Sequence, residues 1–392
     1  MDWLPLDGVP VSQPEESLAP PHVGYVMLLL EDMVAMRAIC EPPDGELGPW
    51  YAEGGGLRRR LRLLARSAET LSVLHGRGIV YGDVSPGNVL VSAPNEHCEV
   101  WFVDADNLRI ETSTVDRVLH TPFYAAPEIM RKLTGNTVHS DRHSFAVLAY
   151  QTLVADHPLL GDMVADDPEK YEQDALRGLL PWVGHATDDR NRTAHAGLDP
   201  RQVITTRLRQ LFARTFEDGM TDPRARPSAG EWAEMLWAAA DLTVTCVSCG
   251  QTFYVSFNRC SWCGASRPPT IVVEILDQYP PIGELRLPTL EETKRYLVLQ
   301  PDHELTVQAR TVRRSVTDPD APVLRLFWDG SDHLLVRNTG TQSVRRVPPR
   351  GGSGRELQPN GRTAEQADMA WDYHFGVDRN PHRVLAIRPP VR

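Results

Sequence analysis

Tyr81-Gly82-Asp83-Val84-Ser85-Pro86-Gly87-Asn88-Val89-Leu90-Val91 is the stretch on which the fold turns. A helical pattern precedes it at 57–75, where Leu57, Leu61, Leu64, Ala68, Leu71 and Leu74 recur on one face and Arg residues take the other. Gly76 and Gly78 stop that helix. Two short β-like runs follow at 89–92 and 100–103, divided by the turn Ala93-Pro94-Asn95. The stretch is therefore a loop between a helix and a strand. An Asp and an Asn five residues apart in such a loop, Asp83 and Asn88, can face one site. The Asp can accept a proton from a hydroxyl while the Asn amide oxygen binds a metal. Sixteen residues beyond Asn88, Phe102-Val103-Asp104-Ala105-Asp106 ends a strand. A carboxylate there can hold magnesium against phosphate oxygens.

Further markers follow in order. They are Thr121-Pro122-Phe123-Tyr124-Ala125-Ala126-Pro127-Glu128, then Ser140-Asp141-Arg142-His143-Ser144-Phe145 opening an apolar helix, then His157-Pro158 and Arg226-Pro227-Ser228. In order and spacing they resemble the C-terminal lobe of a eukaryotic-type serine/threonine protein kinase, as found in bacteria, over roughly residues 1–240. Tyr81-Gly82-Asp83 falls at H-R-D, Asp104-Ala105-Asp106 at D-F-G and Ala126-Pro127-Glu128 at A-P-E. The resemblance implies transfer of the ATP γ-phosphate to a protein hydroxyl. In it Asp83 is the catalytic base, and Asn88 and Asp104 are the magnesium ligands. It further implies a buried pair of Glu128 with Arg226, and Asp141 bracing the catalytic loop. The variant motifs look like a divergent bacterial signalling branch, often joined to metal-binding and forkhead-associated-like modules.

The departures carry expectations of their own. Gly82 stands where the family has the Arg that receives an activating phosphate, so Thr112, Ser113 and Thr114 read as plain loop residues. Ser85 replaces the catalytic-loop Lys, and Ala105 and Asp106 replace the Phe and Gly of D-F-G. Trp3-Leu4-Pro5 and a buried strand at 22–30 look like the last two strands of an N-terminal lobe, with Glu31-Asp32 as the hinge. The expectation is a lobe that is largely missing from this chain. Gly54-Gly55-Gly56 reads as a helix N-terminal turn rather than a phosphate loop. The first lysine of the chain is Lys132, beyond the catalytic loop, so the strand Lys that pairs the ATP phosphates is absent. The chain alone is expected to bind ATP poorly. The alternative is an inactive, pseudokinase-type scaffold that binds protein partners through its other modules.

Cys246-Val247-Ser248-Cys249 and Cys260-Ser261-Trp262-Cys263 lie ten residues apart, each followed by a Gly. Four thiolates in two tight pairs favour tetrahedral zinc and resemble a zinc ribbon. Four protein ligands close the shell, so Cys246, Cys249, Cys260 and Cys263 read as a structural site. From about residue 270 the texture changes to short alternating strands at 271–276, 296–299, 304–307, 323–327, 333–337 and 384–387. This region reads as a β-sandwich with a weak likeness to a forkhead-associated domain, in which Arg310 falls at the phosphate-binding Arg. Ala309 replaces the preceding Gly and the Ser-x-x-His run is absent, so an interaction module is the reading. Arg313-Arg314 and Arg345-Arg346 read as solvated pairs. His333, His374 and His382 show no ligand spacing and read as surface or packing residues.

The chain of 392 residues, 41% hydrophobic and 24% charged, is long enough for several globular domains. The layout is multidomain α+β: a mainly helical kinase-like lobe (1–240), a small zinc ribbon (241–268) and an all-β sandwich (269–392). The net charge of -11 disfavours a nucleic-acid partner. The longest apolar run, 24–30, is too short for a membrane span, and the start has no signal-peptide pattern. The expected setting is cytoplasmic, with a protein substrate or partner and ATP, magnesium and structural zinc as cofactors.

Overall fold

The computed structural model describes residues 4–111, 120–193, 197–281, 288–312, 317–348 and 354–390. Trp3, Thr112, Ser113, Thr114, Arg313 and Arg314 lie outside the described residues. The chain divides into two compact units, Met1–Ala240 and Asp241–Arg392.

The first unit is built on the helices Gly56–Gly76 and Val138–Val154. Leu57, Leu61, Leu64, Ala68, Leu71 and Leu74 are all buried, as the periodicity requires. The Arg face is not simply solvent. Arg59 and Arg60 are 5% and 0% exposed. Arg60 donates to the Tyr51 carbonyl at 2.7 Å and lies 3.7 Å from the Tyr51 ring centroid. Gly54 and Gly55 leave the room: a Cβ on Gly54 would sit 2.6 Å from the Arg60 guanidinium, and Gly55 takes φ +84° as the helix begins. Helices Thr206–Phe216 and Ala229–Asp241 complete the core, in which Trp232 packs edge-on against Phe145 and Phe212.

A three-stranded antiparallel sheet carries the site, with Val89–Ser92 between Met33–Ala35 and Val100–Phe102. The buried strand expected at 22–30 is not formed. Only Tyr25–Met27 is extended, and it pairs with Pro14–Ser17 in an exposed two-stranded ribbon. Its apolar content was the misleading signal, because no core lies beneath it: Val23, Leu28 and Leu29 are exposed as well. The segment before it is more than a leading loop. Leu4, Leu6, Val9 and Val11 are buried, and Val11 bridges Phe102 in parallel. Phe102 donates to Pro10 at 2.9 Å and accepts from Ser12 at 2.7 Å.

The second unit is a β-sandwich with a small ribbon. One sheet has six strands, with Ile271–Tyr279 between Thr289–Leu299 and His382–Ile387, continuing through Trp371–His374, Val344–Val347 and Arg355–Leu357. The other has four: Glu304–Gln308, Pro322–Trp328, His333–Asn338 and Arg362–Gln366. Ile271, Val273, Leu297, Leu324, Leu326, Val336 and Tyr373 meet in one apolar core. The ribbon pairs Thr243–Thr245 with Thr252–Tyr254.

Candidate active site

The strand Ile79–Val80 pairs with Arg109–Ile110, and the chain then loops through 81–88. Tyr81 is buried, its ring edge-on to Phe102 at 4.9 Å, and its hydroxyl donates to the carbonyls of Val103 and Asn88. Burial, followed by the charges of Asp104, Asp83 and Asp141, raises its pKa well above the phenol value, so it stays a donor. Gly82 adopts φ +89°, a conformation that costs a side chain energy. A Cβ there would also lie 3.1 Å from Asn136 Nδ2. That Nδ2 donates to the Gly82 carbonyl at 2.8 Å.

Asp141 is 1% exposed. Its Oδ2 accepts the Tyr81 N–H at 2.7 Å and its Oδ1 the Gly82 N–H at 2.8 Å, while His75 Nε2 lies 3.1 Å from Oδ2. Thr137 and Ser140 form a reciprocal capping box at the start of the same helix, which fixes where Asp141 points. Two successive backbone N–H groups of the loop are thus held by one buried carboxylate.

Asp83 Oδ2 accepts from Asn88 Nδ2 at 3.0 Å, and the same Nδ2 reaches the Asp83 carbonyl at 3.1 Å. With its amide nitrogen engaged, Asn88 has Oδ1 to offer a cation. Asp83 Oδ1 accepts both the backbone N–H and the hydroxyl of Thr121, each at 2.8 Å. Asp104 sits in the left-handed region at φ +58° where the strand ends. Partial burial, then the carboxylates of Asp106 and Asp83, raise its pKa above the ordinary Asp value. Asp104 among neighbouring carboxylates, with the carboxamide of Asn88 on the adjoining loop, makes a donor set suited to a hard divalent cation.

Glu128 and Arg226 form a two-pronged ion pair at 2.7 and 2.8 Å, with Arg226 1% exposed. Arg226 also donates to the carbonyls of Gly219 and His139, both at 2.9 Å. The pair ties the short helix Pro127–Met130 to the segment leading into Ala229–Asp241.

A family profile described as protein kinase domain matches residues 56–238. The chain is protein kinase-like. Myosin light chain kinase A of Dictyostelium discoideum is 33% identical over 157 residues, covering 36% of this chain and 52% of that protein. Serine/threonine-protein kinase PknB of Mycobacterium tuberculosis is 24% identical over 238 residues, covering 52% of this chain and 36% of that protein. PknB of Mycolicibacterium smegmatis is 29% identical over 143 residues, covering 35% and 21%. The chain thus spans about half or less of the length of these relatives.

In the kinase-like unit the structure brings Asp83 and Asn88 into direct contact, and places Asp104 where it feels the Asp83 charge. Thr121, Asn136, Tyr81 and His75 also belong to this network, and sequence reasoning assigned them no part in it. Thr121 lies in a quoted motif, so its spacing from Asp83 was the available signal. Asn136, one of several polar residues in the turn Thr134-Gly135-Asn136-Thr137, offered none.

In the ribbon each Cys-x-x-Cys closes a tight knuckle. Gly250 N–H donates to Cys246 and Gly264 N–H to Cys260, both at 2.9 Å, with φ of +72° and +74° at the two glycines. Cys246 and Cys263 sulfurs lie 3.6 Å apart and Cys249 and Cys260 sulfurs 3.7 Å. A disulfide needs about 2.05 Å. Zn–S bonds of about 2.3 Å in a tetrahedron would set the sulfurs about 3.8 Å apart. Trp262 Nε1 donates to the Thr252 carbonyl at 3.1 Å, and Phe253 is buried, so these aromatics pack the knuckles. Arg310, by contrast, is engaged by Asp320 and by Gln308 Oε1.

Proposed function

We propose that the chain is a serine/threonine kinase-like protein in which Asp83 is the base toward a protein hydroxyl and Asn88 and Asp104 hold magnesium for ATP. The carrying observation is the contact of Asp83 with Asn88 on a loop braced by buried Asp141, with Asp104 close enough at the end of the neighbouring strand to feel the Asp83 charge. Asp83 would orient the incoming hydroxyl and take its proton, and Thr121 keeps that carboxylate fixed. Magnesium bound there supplies neutralisation of charge on the phosphate oxygens. The four-cysteine ribbon is read as a structural zinc site, since its sulfur spacing suits that ion. The sandwich is read as an interaction module for a protein partner; with Arg310 paired to Asp320, phosphothreonine recognition is not part of the reading. No described helix is long and apolar enough to cross a membrane. A cytoplasmic setting belongs to the same proposal.

A second reading, a scaffold without catalysis, draws on the lysine distribution: Lys132 is the first lysine of the chain. A phosphate-pairing lysine ahead of the catalytic loop is therefore not supplied by these residues. Phosphotransfer from labelled ATP by the full chain, with Mg–ATP binding measured calorimetrically, separates the two. The first reading expects transfer that falls by about 10²–10⁴-fold in Asp83→Asn, with Mg–ATP binding kept. Transfer unchanged by Asp83→Asn overturns the role given to Asp83. Absence of both binding and transfer leaves the scaffold.

A further inference from the structure

In the β-sandwich, His374 ends the strand Trp371–His374 and His382 opens the neighbouring strand His382–Ile387. Eight residues separate them, with Asp378 on the connection. Both imidazoles are 7% exposed. His374 Nδ1 and His382 Nε2 lie 3.2 Å apart, and a carboxylate oxygen of Asp378 lies within 4.8 Å of one nitrogen of each ring. The spacing is not spiral or strand periodicity. It is produced by the hairpin turning back on itself, which no residue period signals.

The partners around the two rings decide which lone pairs they present. His382 Nδ1 lies 2.9 Å from the Asn380 carbonyl, which can only accept. Nδ1 therefore carries the hydrogen, and in the neutral ring Nε2 presents a lone pair to His374. His374 Nδ1 also faces an Arg345 guanidinium nitrogen at 3.5 Å, and that nitrogen can only donate. A hydrogen on His374 Nδ1 would bridge the two rings, with Arg345 left to Asp378; a cation between the rings would instead use both lone pairs.

We propose that His374, His382 and Asp378 form a second metal site, for a zinc-like divalent transition metal held by two imidazoles and one carboxylate. A cation between the rings accepts both lone pairs at once. Zn–N bonds of about 2.1 Å in a tetrahedron would put the two nitrogens about 3.4 Å apart, close to the spacing present. The surrounding residues hold the ligands in place. Gln278 Nε2 donates to Asp378 Oδ1 at 2.7 Å, and the Asn380 carbonyl orients His382. Gly376 makes the space for the His382 ring, since a Cβ there would lie 2.5 Å from His382 Cβ. Arg345 donates to both Asp378 oxygens and stands in for the cation. Its side chain is 28% exposed, so it can yield its place to a metal. Three protein ligands leave a fourth position for water or a partner's donor atom, unlike the closed shell of the cysteine ribbon.

The test counts zinc by mass spectrometry on the full chain after equilibrium dialysis, in wild type, His382→Gln and Arg345→Gln, with folding followed by circular dichroism. The cysteine site contributes equally to all three. The expected result is one more zinc ion per chain in wild type than in His382→Gln, and an affinity about tenfold tighter in Arg345→Gln, where a like charge has been removed. An ordinary histidine pair would not respond to Arg345→Gln in this way. Equal zinc counts in wild type and folded His382→Gln overturn the site. Should His382→Gln fail to fold, Arg345→Gln decides, and an unchanged affinity there overturns it.

Discussion

Around Asp83 the fixed points come from far along the chain: Asp141 lies 60 residues beyond Tyr81, and Arg226 lies 98 beyond Glu128. In the cysteine ribbon they come from close by, with Cys246 and Cys263 only 17 apart. The loop at 81–88 borrows its geometry from a large helical core. The ribbon core consists of Val244, Cys246, Phe253 and Cys260, with a few partly buried neighbours. Two of those four are cysteines of the proposed zinc site. On that proposal the difference teaches that one site is as durable as its fold, while the other would be as durable as its ion.

The strongest way to break that contrast is to remove the ion. Chelation, or Cys260→Ser, is expected to abolish hydrogen-exchange protection across 243–263. Structural zinc contributes about 10–16 kcal/mol in comparable small modules, far more than this core supplies. Protection that survives chelation would show that the ribbon stands on packing. Next in size is the helical unit's own weak point. Arg226→Ala leaves the Glu128 carboxylate buried without its partner and is expected to cost about 3–5 kcal/mol by urea unfolding. A loss under about 1 kcal/mol would mean that water or relaxation replaces the pair.

A smaller effect sharpens the comparison through pH. His157 is buried; its Nε2–H donates to the Phe123 carbonyl and its Nδ1 accepts the Leu159 N–H, both at 3.1 Å. Burial lowers its pKa to about 4, against a hydrogen bond that acts the other way. A base whose folded pKa is depressed stabilises the fold fully above its unfolded value near 6.5. That stabilisation is lost as pH falls from about 6.5 to about 4, amounting to about 3 kcal/mol. His143, lowered by burial and then by Arg226 and His157, acts in the same direction. Unfolding free energies across this window should fall with acid in wild type and fall less in His157→Gln. Equal slopes would remove His157 from the account.

Much of this was legible in the residues themselves. The helix at 57–75 was visible because its apolar stripe is regular, and Gly56–Gly76 extends that range by one residue at each end. The two knuckles were visible because cysteine pairs are rare and closely spaced. The contact of Asp83 with Asn88 was foreshadowed by their spacing in one loop. What stayed hidden depends on encounters that the sequence does not encode locally. The burial of Arg59 and Arg60, on the face opposite the apolar stripe, was hidden because their partners, carbonyls and the Tyr51 ring, lie outside that helix pattern. The strands Val344–Val347 and Arg355–Leu357 were missed because Arg345, Arg346 and Arg355 mask the alternation at that end of the sheet. His374 and His382 read as unrelated for the same reason, since a turn rather than a period brings them together.

The parallel bridge of Val11 to Phe102 has a consequence in time as well as in space. During synthesis the early segment must wait for the strand that it joins. Roughly ninety residues at about 5–20 residues per second amount to a delay on the order of ten seconds. Throughout that interval Leu4, Leu6, Val9 and Val11 have no sheet to cover them, and they become buried only as the strand leading to Asp104 emerges. The stretch at 4–11 therefore settles only after the strand at 100–102 has been made, so its burial is set by the order of synthesis as well as by the final fold.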